Sequence, residues 1–170
     1  MKQFDHPSSP FLARQFPIVL LLDDVRSPAN ICGLFRLGDA FGVEKIIIRG
    51  GSVNLGSTRL RRTARSTIEN IPVDMVQKDM DILSDLRQDG YTSIALEIAE
   101  ESLPLATMTF EKYYKIALIL GNERNGISPE LLEQADLRTH VTMYGRNSSM
   151  NVSQAAAIAL FQITKSLNPI

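Results

Sequence analysis

Three stretches of this chain concentrate side chains that core packing has little use for. The first is Asn30-Ile31-Cys32-Gly33-Leu34-Phe35-Arg36, in which an amide and a guanidinium stand six positions apart. On a helix that spacing sets them at different heights rather than one above the other. Arg36 sits among Leu34, Phe35 and Leu37, a poor setting for a cation unless it points at an anion. The plain alternative makes Asn30 a helix N-cap and Arg36 a surface residue. The second stretch, Leu118 to Ser128 (LILGNERNGIS), runs from an apolar segment into a loop with two glycines and a carboxylate, Glu123. Ligands of open α/β sheets bind where such loops leave the carboxyl ends of strands. The loop lacks both the glycine triplet of a dinucleotide fingerprint and the lysine of a P-loop. The third stretch, Met143 to Ser153 (MYGRNSSMNVS), offers five hydroxyl or amide side chains between Asn147 and Ser153. Ser149 or Asn151 alone would cap a helix starting there, so the surplus points to a polar binding surface.

Charge adds a fourth feature. Arg59, Arg61, Arg62 and Arg65 fall within seven residues, and no acidic side chain stands between Glu44 and Glu69. Arginine forks match phosphate oxygens, so the patch suits a nucleic-acid backbone; a solvated face remains equally open. The whole chain is close to neutral, with 18 Lys and Arg against 19 Asp and Glu. Residues 1–65 carry +5 and residues 66–110 carry −7. Any phosphate contact is therefore local rather than spread over a basic surface.

These residues need elements to hold them. A chain of 170 residues, 44% hydrophobic, suits one domain with a real core. Its single Cys32, with His6 and His140, rules out a disulfide framework and leaves a structural metal almost no ligands. No apolar run approaches bilayer length and no signal peptide precedes the core, so a cytoplasmic location and no membrane partner are expected. Continuous apolar runs predict buried strands at 17–22, 45–49, 71–76, 92–96 and 115–120, with a last strand at Thr139 to Met143. Helical spacing or caps predict helices at 30–41, 79–88, 128–134 and 152–166, the third opened by Ser128-Pro129. Strands alternating with helices make an α/β fold with a mainly parallel sheet flanked by helices. Residues 1–14 are expected to form a loose arm.

In order and spacing, Asn30 and Arg36, then LGNERNGIS, then SMNVS opening the last helix resemble the three signature motifs of the SPOUT superfamily, TrmH/SpoU branch. The similarity runs from Pro17 to Phe161 and includes Arg62-Thr63-Ala64 and Ala95-Leu96-Glu97. Leu37-Gly38-Asp39 and Thr142 depart from the common pattern without removing a functional group. The resemblance implies an S-adenosylmethionine-dependent methyltransferase acting on a ribose 2′-OH of tRNA or rRNA, with no DNA substrate. A catalytically inactive RNA-binding module of the same fold is the alternative. It further implies a single domain over residues 1–170, a deep trefoil knot over about 117–159, and a homodimer with a shared site. By motif match, Arg36 is the catalytic arginine and Asn30 positions it or the ribose. Glu123 orients Arg36 or a neighbour, and Ser149 and Asn151 line the pocket near the methyl group. Leu96, Gly121, Val141 and Ser149 match cofactor contacts, with Met143 and Met150 as apolar walls. Arg59, Arg61, Arg62 and Arg65 would contact RNA, and no metal is implied.

Overall fold

A computed structural model of the chain describes residues 13–51, 53, 55–56, 67–146 and 149–167. Its centre is a seven-stranded sheet in which every paired neighbour is parallel. The strands are β1 (Phe16–Asp23), β2 (Val43–Arg49), β3 (Val73–Val76), β4 (Tyr91–Leu96), β5 (Leu103–Pro104), β6 (Lys115–Leu120) and β7 (Leu137–His140). They lie in the order β3-β2-β1-β6-β4-β7-β5.

The central strands are apolar at nearly every position because both faces are covered. Alternation then sorts side chains between the two faces. Ile18, Leu20 and Leu22 of β1 join Ile116, Leu118 and Leu120 of β6 in one cluster, packed against α1 (Pro28–Ala40) and α5 (Val152–Leu167). Val19, Leu21, Ala117 and Ile119 join the other, packed against α3 (Ile82–Gln88) and α4 (Pro129–Gln134). A short α2 (Thr67–Asn70) precedes β3, and a 3₁₀ turn (Leu105–Thr107) follows β5. No helix among the described residues is long and apolar enough to cross a membrane.

Two boundaries differ from the sequence expectation in ways that matter. Helix α1 starts at Pro28, not Asn30, and its N-cap is Ser27, whose hydroxyl accepts the Asn30 amide at 3.4 Å. Asn30 is thus within the first turn of the helix, and its side chain is free of capping duty. The last strand spans Leu137–His140 rather than 139–143. Leu137, Arg138 and Thr139 pair with Ile94, Ala95 and Leu96, while β5 offers only Leu103 and Pro104 on the other side. Past His140 neither neighbour remains to pair with, and the chain leaves the sheet.

A closed polar cluster ties the ends of β1 and β2 to α4. The Arg49 guanidinium, 3% exposed, donates to Asp23 Oδ1 at 2.7 Å, the Ser128 hydroxyl at 3.2 Å and Glu130 Oε1 at 2.9 Å. It also donates to the Lys78 carbonyl. Asp23 Oδ2 accepts the Ser128 amide at 2.7 Å. Helix α5 buries Ala156, Ala159, Leu160 and Ile163, yet Ile158 and Phe161 stand 42% and 60% exposed. This second apolar face is therefore uncovered in a single chain.

Candidate active site

Helices cover both faces of a parallel sheet, so polar groups gather where the loops leave the carboxyl ends of the strands. The loop after β6 is tightly constrained. Asn122 and Gly126 exchange two backbone hydrogen bonds of 2.9 Å, closing a five-residue turn. Asn122 Oδ1 fills it, accepting the amides of Arg124 at 2.9 Å and Asn125 at 3.1 Å. Asn122 Nδ2 donates to the Asp24 carbonyl at 2.7 Å, fixing the turn to the loop after β1. Only glycine fits at position 121, because a Cβ there would stand 2.3 Å from the Gly126 carbonyl carbon and the Ile127 nitrogen.

Glu123 then reaches back across this loop. Its carboxylate accepts the backbone amides of Ser27 at 3.0 Å and Arg26 at 3.3 Å, and the Asn30 side-chain amide at 2.8 Å. Burial pushes its pKa up, but these donors outweigh it and hold the carboxyl below the ordinary glutamate value. Because Asn30 gives Nδ2 to a carboxylate, its Oδ1 faces the other way and accepts Asn151 Nδ2 at 2.9 Å. Asn151 must in turn present Oδ1 to helix α5. There it accepts the Ser153 amide at 3.0 Å, the Ser153 hydroxyl at 2.7 Å and the Gln154 amide at 3.4 Å. Asn151 is therefore the N-cap, and Ser149 is not. One directed chain of hydrogen bonds joins all three motif stretches. Glu123 orients Asn30 rather than Arg36.

Beside this chain lies a cavity of about 530 Å³. Leu96, Gly121, Val141, Met143, Ser149 and Met150, the six residues expected to hold a cofactor, all line it. Glu123 and Asn151 line it as well. Asn30, 8% exposed, touches the site through its two hydrogen bonds. Arg36 does not reach it. The guanidinium-bearing residue is exposed on α1, and it donates no hydrogen bond and forms no ion pair to any described residue. Arg59, Arg61, Arg62 and Arg65 lie outside the described residues. Among the described residues no group of three His, Cys, Asp or Glu is placed to hold a metal ion.

Sequence reasoning missed three residues of the site. Asn122 builds the turn through local bonds to Arg124 and Asn125, but its tie to Asp24 spans 98 positions and leaves no local sign. Glu97 and His140 both line the cavity. Glu97 directly follows the buried β4 and His140 ends β7, the one local sign that either would face a ligand.

Residues 17–161 match the SpoU rRNA methylase family. The 23S rRNA (guanosine(2553)-2′-O)-methyltransferase of Bacillus subtilis is 30% identical over 146 residues, covering 85% of this chain and 57% of the relative. The tRNA (guanosine(18)-2′-O)-methyltransferase of Aquifex aeolicus is 27% identical over 154 residues, covering 88% of this chain and 69% of its own length. An AdoMet-bound rRNA methyltransferase structure from Sinorhizobium meliloti superposes with a TM-score of 0.83 at 26% identity, covering 93% of this chain and 59% of that one. The chain thus spans about three fifths of the length of the Bacillus relative and of the Sinorhizobium structure.

Proposed function

The chain belongs to the SpoU rRNA methylase family, and from that membership and the geometry of its site we propose that it methylates a ribose 2′-OH of tRNA or rRNA, using S-adenosylmethionine. The observation that carries the proposal is the hydrogen-bonded line Glu123–Asn30–Asn151 beside a cavity walled by the six expected residues. The relatives' activities, on both rRNA and tRNA, support the substrate class.

The cavity fits the methyl donor. Its volume falls inside the roughly 300–1,000 Å³ of small-molecule sites. Leu96, Val141, Met143 and Met150 offer apolar walls for a purine. Gly121, with no side chain, lets the base lie against backbone. Glu97 and Glu123 place two carboxylates where a ligand of net positive charge would sit. When bound, S-adenosylmethionine supplies an electrophilic methyl group on a sulfonium. What remains for the protein is to align the ribose oxygen and to help it lose its proton. Arg36 serves the second task through charge. A guanidinium keeps its proton and is a poor base, but it holds a phosphate and a developing alkoxide well. Asn30 orients the ribose, held in one amide orientation by Glu123 and Asn151. Ser149 lines the pocket near the methyl group.

Arg36 lies outside the cavity of its own chain, which supports a shared site in which it serves the other chain's cavity. The exposed Ile158 and Phe161 on α5 supply an apolar face for such a two-fold contact. The proposed assembly is a homodimer of twice 18.9 kDa, and the knot over residues 117–159 belongs to the same proposal, as do RNA contacts by Arg59, Arg61, Arg62 and Arg65. Calorimetry with S-adenosylmethionine, followed by transfer of labelled methyl to total tRNA and rRNA, tests it. Binding and a 2′-O-methylated nucleoside are expected. Binding without transfer would leave an RNA-binding module, and no binding at millimolar donor would end the proposal. A one-chain mass by light scattering would remove the dimer.

A further inference from the structure

Glu97 stands at the carboxyl end of β4 as a half-buried carboxylate on the cavity wall. Two backbone amides hold it, one on each oxygen. Ile98 donates to Oε1 at 3.0 Å and Ile127 to Oε2 at 3.2 Å. The group is pressed so closely on the next loop that a Cβ at Gly126 would stand 2.6 Å from Oε2. No side-chain donor among the described residues hydrogen-bonds to it. His140 ends β7 beside it, but turns Nδ1 to the Ser102 oxygen at 2.8 Å. The Ser102 hydroxyl proton is committed to the Ala99 carbonyl at 2.7 Å, so His140 is the donor in that contact.

A carboxylate accepts about four hydrogen bonds, and this one has two filled from the protein. What remains is one open acceptor position on each of two rigidly held oxygens, facing a cavity. Two donors on adjacent atoms satisfy such a pair, and the vicinal hydroxyls of a ribose are that arrangement. We infer that Glu97 is a binding residue that accepts both ribose hydroxyls of the adenosine moiety, setting the nucleoside against the loop of Gly121 to Ile127. The inference rests on the cavity being the site of the methyl donor.

Calorimetry on the full chain tests it with three probes: S-adenosylhomocysteine, its 2′,3′-dideoxy analogue and 5′-methylthioadenosine. Wild-type protein is expected to bind the dideoxy analogue at least about tenfold more weakly than S-adenosylhomocysteine, since hydrogen bonds to a charged group are the strong ones. Glu97→Gln should weaken S-adenosylhomocysteine by a similar factor and add little further loss for the dideoxy analogue. An equal further loss in the variant would overturn the inference, because Glu97 would then only shape the loop. A loss in Glu97→Gln that disappears with 5′-methylthioadenosine would also overturn it, the carboxylate then holding the amino-acid ammonium. Should Glu97→Gln not fold, the wild-type comparison decides alone, and equal affinity for the two homocysteine probes overturns the inference. Wild-type protein that binds S-adenosylhomocysteine but ignores the hydroxyls overturns this inference and leaves the proposed function standing. Protein that binds neither that probe nor S-adenosylmethionine ends both.

Discussion

Arg36 and Arg49 are thirteen positions apart and have opposite lives in the fold. Arg49 is sunk between β1, β2 and α4, with two carboxylates, a hydroxyl and a carbonyl around it. Its Nε is the one buried side-chain polar atom without a partner among the described residues. Arg36 is exposed on α1, with no hydrogen bond or ion pair to any described residue. Sequence alone draws attention to Arg36, since a cation inside an apolar helical pattern is conspicuous. Arg49 ends the apolar run KIIIR and looks like a solvated strand end. The contrast shows that an arginine's engagement, not its type, tells its use. One is consumed by architecture, and the other is engaged by no described residue.

The sharpest way to break the contrast is to remove each arginine in turn. Arg49→Leu leaves Asp23, 2% exposed, as a buried charge with only an amide beside it. A loss of about 3–5 kcal/mol in urea unfolding is expected. Adding Asp23→Leu should restore much of it, because the orphaned charge is the main cost. Arg36→Ala is expected to stay within about 0.5 kcal/mol of wild type in the same assay. Its donor affinity should hold within a few-fold while methyl transfer drops by about 10²–10³-fold, the scale of losing one charge-stabilising group. Normal turnover in Arg36→Ala would remove it from the mechanism.

Smaller effects separate capping from orientation at Asn151. Asn151→Ala should cost about 0.5–2 kcal/mol through loss of the α5 cap. Asn151→Asp keeps an acceptor for the Ser153 and Gln154 amides but sets an oxygen against Asn30 Oδ1. Stability close to wild type with activity as low as the alanine variant is the expected pattern, read by thermal melting and methyl transfer together. The smallest effect is in acid. The folded pKa of Glu123 is lowered, so its stabilisation is present above the ordinary glutamate value and is lost as pH falls through the lower folded value. Solvent screening keeps this below about 1 kcal/mol. Glu123→Gln should flatten the acid limb of a stability–pH curve between those two values.

Much of this arrangement was legible because it is local. The strand expected at 115–120 is Lys115–Leu120, since a run apolar at nearly every position has no other stable use in a short segment. Ser128-Pro129 announced the start of α4, although the Ser128 hydroxyl makes no cap hydrogen bond there and accepts from Arg49 instead. The same pair at Ser27-Pro28 opens α1, yet the polar Asn30 drew the boundary inward. The last strand is expected at 139–143, but a strand ends where its neighbours do, here at His140. The six cavity residues were placed by motif match, and chemistry alone would have chosen few of them. Beyond their local bonds, Asn122 and Glu97 also join partners 98 and 30 positions away, distances at which residue type and spacing say nothing.

The closed turn from Asn122 to Gly126 has a thermodynamic consequence for whatever enters the cavity. Its backbone is latched at both ends, its interior is filled by the Asn122 side chain, and Asp24 holds it from outside. Fixing one residue's backbone costs roughly 1–2 kcal/mol of conformational entropy. For these five residues that cost is met when the chain folds, so it is absent from the binding equilibrium. A ligand meets this wall already in its final shape, and none of its affinity is spent on ordering it.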